Sequence, residues 1–158
     1  MNLKKNKIFY WANSQLNSDG EGILANNFLF FLKKNFKSSS LISINKIKLK
    51  NNQSIFAKYI MPFYGVILLW KYYLKNEKIS YINYLPAWNF LLILLLPPNT
   101  IVGPVTGSIN RKNWNFFFTI LSFIGIRFLL IRYKKIIFSH DFFKNLIPKN
   151  KIKNCFFN

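Results

Sequence analysis

The sequence contains few acidic residues, a single histidine and a single cysteine. Of its 158 residues four are Asp or Glu, one is His and one is Cys, against 23 Lys and Arg. With Cys155 as the only thiol, no internal disulfide can form, and no cluster of metal-ligating side chains stands in the sequence. Such cysteine usage is typical of a reducing, cytoplasmic compartment. We therefore expect no metal and no other resident cofactor.

We expect no secretory signal. Lysines near the N-terminus precede an apolar run, Ile8 to Ala12, that is too short for a signal peptide. Three longer apolar stretches, 56–74, 84–98 and 114–131, have to be weighed as membrane spans, which need about 20 apolar residues. Prolines bracket the second stretch, Arg127 lies in the third, and lysines flank all three without asymmetry. A small, basic multi-span membrane protein without enzymatic activity is therefore the alternative to the interpretation developed below.

The charge of the chain is strongly one-sided, with a formal net charge of +19. Apolar residues make up 51% and aromatic residues 19% of the chain, which excludes a disordered protein. The positive charge favours anionic partners such as phosphate, nucleic acid or an anionic membrane face. It is equally explained by AT-rich codons, since Lys, Asn, Ile and Phe dominate. The lysines are scattered and no nucleic-acid-binding motif is present, so we do not expect a nucleic-acid partner.

Strand-like and helix-like segments alternate along the chain. Their spacing predicts an α/β fold, with a Rossmann-like parallel sheet and helices on both faces, in a single domain spanning residues 1–158. A domain rarely ends on a buried strand, so we expect the chain to be an incomplete gene product. The predicted strands are 7–12, 41–47, 79–84, 100–102, 134–139 and 154–158, and the predicted helices are 23–36, 56–75, 86–96, 114–133 and 142–147.

The stretch 78–108 predicts a strand, a short crossover helix beginning at Pro86 and a second strand, which favours right-handed parallel pairing. Ligands of open parallel sheets lie beyond the carboxyl ends of the strands. Tyr84 and the loop from Gly103 to Ser108 occupy such ends, so we place the binding crevice there.

Two further segments are candidates for chemistry. The loop Asp19 to Gly22, between the first strand and the first helix, predicts a diphosphate-binding turn, although a plain turn explains it as well. It lacks the third glycine of a dinucleotide fingerprint and the Lys-Ser/Thr of a P-loop. Its two carboxylates could supply a base or simply favour the helix N-terminus. The run Ser139-His140-Asp141 contains the residue types of a hydrolase triad, but adjacent residues cannot adopt the triad geometry.

Three stretches share a pattern of a strand followed by a loop or helix start bearing small residues. They are Ile8 to Phe36 with Gly20-Glu21-Gly22, the run Ile101 to Gly107, and the segment from Ile136 to Ser139 continued by Phe142 to Ile147 and Cys155 to Asn158. Together they resemble the N-terminal, acceptor-side half of GT-B fold glycosyltransferases of the polysaccharide-biosynthesis type.

The resemblance implies an enzyme that transfers a sugar from a nucleotide sugar, without a metal, to a polysaccharide or lipid-linked acceptor. It would act in the cytoplasm, peripherally at the inner face of an anionic membrane. Family members hold the nucleotide sugar mostly with a C-terminal domain that carries a Glu-x7-Glu pair, and no such pair occurs here, so we expect a separate donor-binding domain. The residues concerned are the diphosphate-binding set Gly20, Glu21 and Gly22, and the acceptor-cleft set Tyr84, Thr106, Gly107, Ser108 and His140.

Overall fold

The computed structural model describes residues 6–14, 20–37, 39–46, 60–86, 90–106, 116–139, 144–145 and 147–157. Strands and helices alternate along this part of the chain, as the sequence predicts. In chain order the elements are β1 (Asn6–Ala12), α1 (Gly20–Asn35), β2 (Ser39–Ser43), α2 (Met61–Tyr73), β3 (Lys78–Pro86), α3 (Phe90–Leu95), β4 (Ile101–Thr106), α4 (Phe116–Arg132), β5 (Lys135–Phe138), a 3₁₀ helix (Lys149–Asn154) and β6 (Cys155–Phe157).

The strands form one six-stranded, all-parallel sheet in the order β2-β1-β3-β4-β5-β6. The predicted α/β class with a Rossmann-like parallel sheet is thereby confirmed. The chain divides into two compact units, Met1–Asn83 and Tyr84–Asn158. This division does not test whether the chain is one domain, so the single domain stays a prediction.

Several element boundaries differ from the predicted ones. Helix α1 begins at Gly20 rather than at Ile23, because Glu21 in the first turn suits the positive end of the helix dipole. Pro86 ends strand β3 instead of opening a helix, a position where its missing N–H breaks no central ladder. Strand β2 begins at Ser39 rather than at residue 41, since Ser39 and Ser40 pair with Asn6 and Lys7 of β1.

In the first unit, strand β1 presents alternate side chains to opposite faces. The Phe9 ring stacks on Tyr72 of α2 with centroids 4.4 Å apart, and Trp11 meets Tyr64 of α2 edge-on at 5.8 Å. From β1 the chain moves to one side to form β2, and it returns past β1 to form β3. Because crossovers between parallel strands are right-handed, these two opposite steps place α1 on the face of the sheet that α2 does not cover. Helices therefore cover both faces of this part of the sheet.

In the second unit, all six residues of β4 are buried, as are the last three of β5. The C-terminal ends of α3 and α4 are joined by hydrogen bonds to carbonyl groups. Arg132 Nη2 donates to the Leu96 carbonyl oxygen over 2.9 Å, and the Tyr133 hydroxyl donates to the Ile93 carbonyl oxygen. These bonds satisfy carbonyls that a helix end leaves without intrahelical partners.

The apolar stretches weighed as membrane spans form helices α2, α3 and α4 in part. None of the helices in the described ranges combines the length and the apolar character needed to cross a bilayer.

We predict that Gly65→Ala lowers the free energy of unfolding by about 1–3 kcal/mol, the usual cost of overpacking a core. A Cβ at position 65 would lie 2.3 Å from Trp11 Nε1, so the helix or the indole has to move. Gly20→Ala is the matched control, because a Cβ there meets nothing within 4 Å. Urea unfolding of both variants measures the difference, and a wild-type value for Gly65→Ala would contradict the packing described here.

Candidate functional site

The chain reverses direction across the sheet at β1 and β3, which makes the crevice beyond their carboxyl ends a topological switch point. From β1 the chain moves to one side to form β2 and returns to the other side to form β3. Ligands of open parallel sheets bind at such points. Ala12 pairs with Ile82, so Asn13 and Asn83 follow at equivalent positions on the two strands. We call the residues gathered here, Asn13, Glu21, Tyr81 and Asn83, the β1–β3 crevice.

A side-chain hydrogen bond links the end of β1 to the start of α1. Asn13 Nδ2 donates to Glu21 Oε2 over 3.3 Å. Asn13 is buried, whereas Glu21 is exposed, so the carboxylate is oriented by a fixed amide and remains accessible to solvent. The pair places a negatively charged acceptor beside the switch point, where it can accept hydrogen bonds from hydroxyl or amide donors.

The end of β1 is also held by the segment that follows β2. Asn45 Nδ2 donates to the Ala12 carbonyl oxygen over 2.8 Å and to the Asn13 carbonyl oxygen over 3.3 Å. The Ile44 amide donates to the Tyr10 carbonyl oxygen over 2.9 Å. These bonds fix the backbone from which the Asn13 side chain projects.

Tyr81 contributes a neutral hydroxyl to the crevice. Its side chain is fully buried, and Asn83 Nδ2 lies 3.4 Å from its hydroxyl oxygen. Burial raises the pKa of Tyr81 well above its ordinary value, the Asn83 hydrogen bond lowers it, and the Glu21 charge raises it further. The hydroxyl is therefore protonated at neutral pH and cannot serve as a base there.

The predicted diphosphate residues lie in the first turn of α1 rather than in a loop before it. Gly20 is exposed and Gly22 is buried, and the turn follows the crevice residue Asn13 after a short segment outside the described residues. First-turn amides lack intrahelical partners and can bind an anion. The Glu21 carboxylate in the same turn opposes an anion close to it. The contact of Gly20 and Gly22 with a diphosphate stays a prediction.

The predicted acceptor cleft is described only in part. Thr106 is the last residue of β4, and its hydroxyl oxygen is buried without a hydrogen-bond partner among the described residues. Tyr84 belongs to β3, but its side chain is not described, and Gly107, Ser108 and His140 lie outside the described residues. Their roles stay predictions.

Ser139 joins the ends of β4 and β5 in the second unit. Its hydroxyl donates to the Val105 carbonyl oxygen over 3.1 Å, and its amide donates to the same oxygen over 3.0 Å. Because Val105 pairs with Phe138, Ser139 lies at the strand position next to Thr106. The two hydroxyl-bearing residues therefore mark neighbouring strand ends, while only Thr106 was predicted as a site residue.

Cys155 is buried in β6, and its Sγ lies 3.5 Å from the Lys151 carbonyl oxygen. Burial raises the pKa of this thiol to about 11. At neutral pH it is a protonated, weakly nucleophilic group. Among the described residues no three His, Cys, Asp or Glu side chains are grouped so as to hold a metal ion.

The sequence analysis did not identify Asn13, Asn45, Tyr81 or Asn83. A usable signal was present, since Asn13 and Asn45 stand just beyond the carboxyl ends of β1 and β2, and Asn83 lies in the carboxyl-terminal half of β3. Polar side chains at that position are frequent ligand contacts in parallel sheets. Their hydrogen-bond partners are 8 to 33 residues away, except for Asn83 with Tyr81, and such pairings are not readable from spacing.

A scan against protein-family models found no match, and searches of curated proteins and of solved structures found no significant match either. Function is therefore inferred from the strand ends and from the sequence resemblance.

We predict that Asn45→Ala lowers the free energy of unfolding by about 1–3 kcal/mol, because the partly buried carbonyls of Ala12 and Asn13 lose the hydrogen bonds that Asn45 donates. Asn35→Ala is the control, since it removes one exposed bond to the Phe31 carbonyl and should cost less than about 0.5 kcal/mol. Urea unfolding measures both values. Equal losses in the two variants would mean that Asn45 does not anchor the end of β1.

We predict that Cys155 in the folded protein reacts slowly with a disulfide reagent near neutral pH, because its thiol is buried and has a pKa of about 11. In denaturing urea the reaction should be at least tenfold faster, and Cys155→Ala should show no reaction in either state. Release of the coloured thiolate follows the rate. Equally fast labelling of folded and unfolded protein would contradict the buried position.

Proposed function

We propose that the chain is the acceptor-side domain of a GT-B glycosyltransferase that transfers a sugar from a nucleotide sugar to a cell-surface polysaccharide or a lipid-linked acceptor. The observation that carries the proposal is the position of Glu21. This exposed carboxylate, oriented by Asn13, stands in the glycine-bearing first turn of α1 next to the switch point of a Rossmann-like sheet. The resemblance implies a donor-diphosphate contact at the same turn.

The chemistry of the crevice suits a polyhydroxylated ligand. Sugar hydroxyls donate to carboxylates and both donate to and accept from amides. Glu21 at the start of α1 supplies the first type of group, and Asn13 after β1 and Asn83 in β3 supply the second. A hydrogen bond from a sugar hydroxyl to an ionised carboxylate is about twice as strong as a neutral one. In this proposal Glu21 binds an acceptor hydroxyl, while the amides of Gly20 and Gly22 contact the donor diphosphate.

Sugar transfer in the proposal requires a donor-binding domain, on the same polypeptide or on a separate one. In the family that domain holds most of the nucleotide sugar and carries the Glu-x7-Glu pair. The acceptor-side domain would act peripherally at the inner face of the membrane, where lipid-linked acceptors are presented. Its net charge of +19 supports that location by attraction to anionic lipid headgroups.

We predict that the purified chain binds soluble analogues of lipid-linked oligosaccharides, and that Glu21→Gln weakens this binding about tenfold through loss of a charge-assisted hydrogen bond. Isothermal titration against a panel of glycans, with and without UDP- or GDP-linked sugars, measures the affinities. The removal of one carboxylate is the only intended change, since the amide keeps the shape of the side chain.

Glu77→Gln is the matched control. Glu77 precedes the amino end of β3, whereas the crevice lies toward the carboxyl ends of the strands. Its replacement by glutamine changes the net charge by the same amount as Glu21→Gln. Unchanged affinity in this variant separates a site effect from a charge effect. If the chain binds no glycan and no nucleotide sugar, or if both variants weaken binding equally, the proposed function is wrong.

A further inference from the structure

Helix α2 is apolar on both of its sides. One side lies against β1, where Tyr72 stacks on Phe9 and Tyr64 meets Trp11. A helix at a protein surface normally turns polar side chains outward, and one that is apolar all round is normally covered. The buried residues of α2 are Met61, Pro62, Gly65, Val66 and Leu69.

The opposite side of α2 exposes large apolar side chains. They recur at three- and four-residue intervals, so they form one continuous stripe along the helix. We call this stripe the outward face of α2. Its apolar members and their exposed fractions are Ile60 (51%), Ile67 (66%), Trp70 (36%) and Leu74 (75%), with Tyr64 (41%) at its border, where the ring also meets Trp11.

Two lysines complete the outward face. Lys71 and Lys75 are exposed on the same side as Ile67 and Leu74, and no acidic residue occurs between positions 60 and 75. Lys75 Nζ lies 6.0 Å from the centre of the Tyr72 ring, and the Trp70 and Tyr73 rings meet edge-on at 5.5 Å. Trp, Tyr and Lys beside aliphatic side chains is the composition of segments that lie in a membrane interface.

Codon bias does not account for this face. Helix α1 comes from the same biased sequence, yet its exposed positions are mainly polar or charged, with Phe30 and Ile23 standing among them. Within the second unit, α4 repeats the α2 pattern, with Arg127 among exposed aliphatic and aromatic side chains and its guanidinium 5.0 Å from the Phe123 ring centre. The exposed apolar residues of α4 are Ile120, Phe123, Ile124 and Ile131.

We propose that the outward face of α2 binds the surface of an anionic phospholipid bilayer. Ile60, Ile67 and Leu74 enter the boundary between headgroups and acyl chains, and Lys71 and Lys75 contact lipid phosphates. The charges on this face favour anionic lipid over a second copy of the chain. A second copy of the chain would bring lysines against lysines with no carboxylate on the face to pair them, whereas anionic headgroups complement both lysines and the net charge of +19. The inference rests on the membrane location in the proposed function, and not on sugar transfer.

Vesicle flotation tests the proposal with the full chain and no glycan or nucleotide present. We expect binding to vesicles of phosphatidylcholine with phosphatidylglycerol, and at least tenfold weaker binding to phosphatidylcholine alone. Ile67→Glu should weaken binding to the anionic vesicles at least tenfold. Phe30→Glu is the matched control, because Phe30 on α1 is 72% exposed and the same charge is introduced. It should change the affinity less than twofold.

A folding control and a second variant complete the test. Circular dichroism and thermal unfolding establish that both variants are folded, which is expected because both side chains are exposed. Replacing Lys71 and Lys75 together by glutamine should reduce the preference for anionic over neutral vesicles at least fivefold.

Three results would overturn the proposal. The first is equal binding to anionic and neutral vesicles, and the second is an Ile67→Glu variant that binds like the wild type. The third is a dimer in solution that Ile67→Glu dissociates, because it would assign the face to a second copy of the chain. The glycan titration contains no vesicles, so a failure of the membrane proposal and a failure of the transferase proposal are seen in separate assays.

Discussion

The contact between Trp11 and Gly65 is the constraint on which the first unit depends. Trp11 is fully buried, and its indole occupies the space where any other residue at position 65 would place a Cβ. Helix α2 can therefore lie close to β1, with Phe9 and Trp11 beneath Tyr72 and Tyr64. The packing of α2 on β1 also determines which side of α2 faces solvent. It also fixes the end of β1, since Asn13 follows Trp11 by two residues and directs its amide to Glu21.

The few acidic residues distinguish the crevice from the exposed helix faces. Glu21 is the acidic residue of the crevice, whereas helices α2 and α4 have none. A carboxylate beside the strand ends can accept hydrogen bonds from hydroxyl donors, and a helix face of aliphatic, aromatic and lysine side chains can bind anionic lipid. Both features agree with transfer of a sugar onto an acceptor held at a membrane surface. In this account the crevice provides chemical selection and the outward face of α2 provides location.

The fold was predictable because the strands of a parallel sheet are nearly continuous apolar runs separated by helical periods. Residues 8–12 and 101–102 illustrate this, since burial on both faces leaves little room for polar side chains. The boundaries at Gly20, Ser39 and Pro86 were not predictable, because pairing between strands and the helix dipole override local propensity there. Glu21 and Thr106 were named from the sequence as candidate residues of two different sites, and their roles stay predictions. Asn45 binds a carbonyl 33 residues away, and this contact required the tertiary structure.

We propose the β1–β3 crevice as the ligand site of a sugar-transferring domain. Backbone amide chemical shifts, recorded by NMR while a lipid-linked oligosaccharide analogue and a nucleotide sugar are added, test this proposal at the level of single residues. We expect the largest shifts at Asn13, Ser14, Glu21 and Asn83, and no response at Lys78 at the amino end of β3. Shifts confined to the amino ends of the strands, or no shifts with any sugar ligand, would mean that the crevice is not the site.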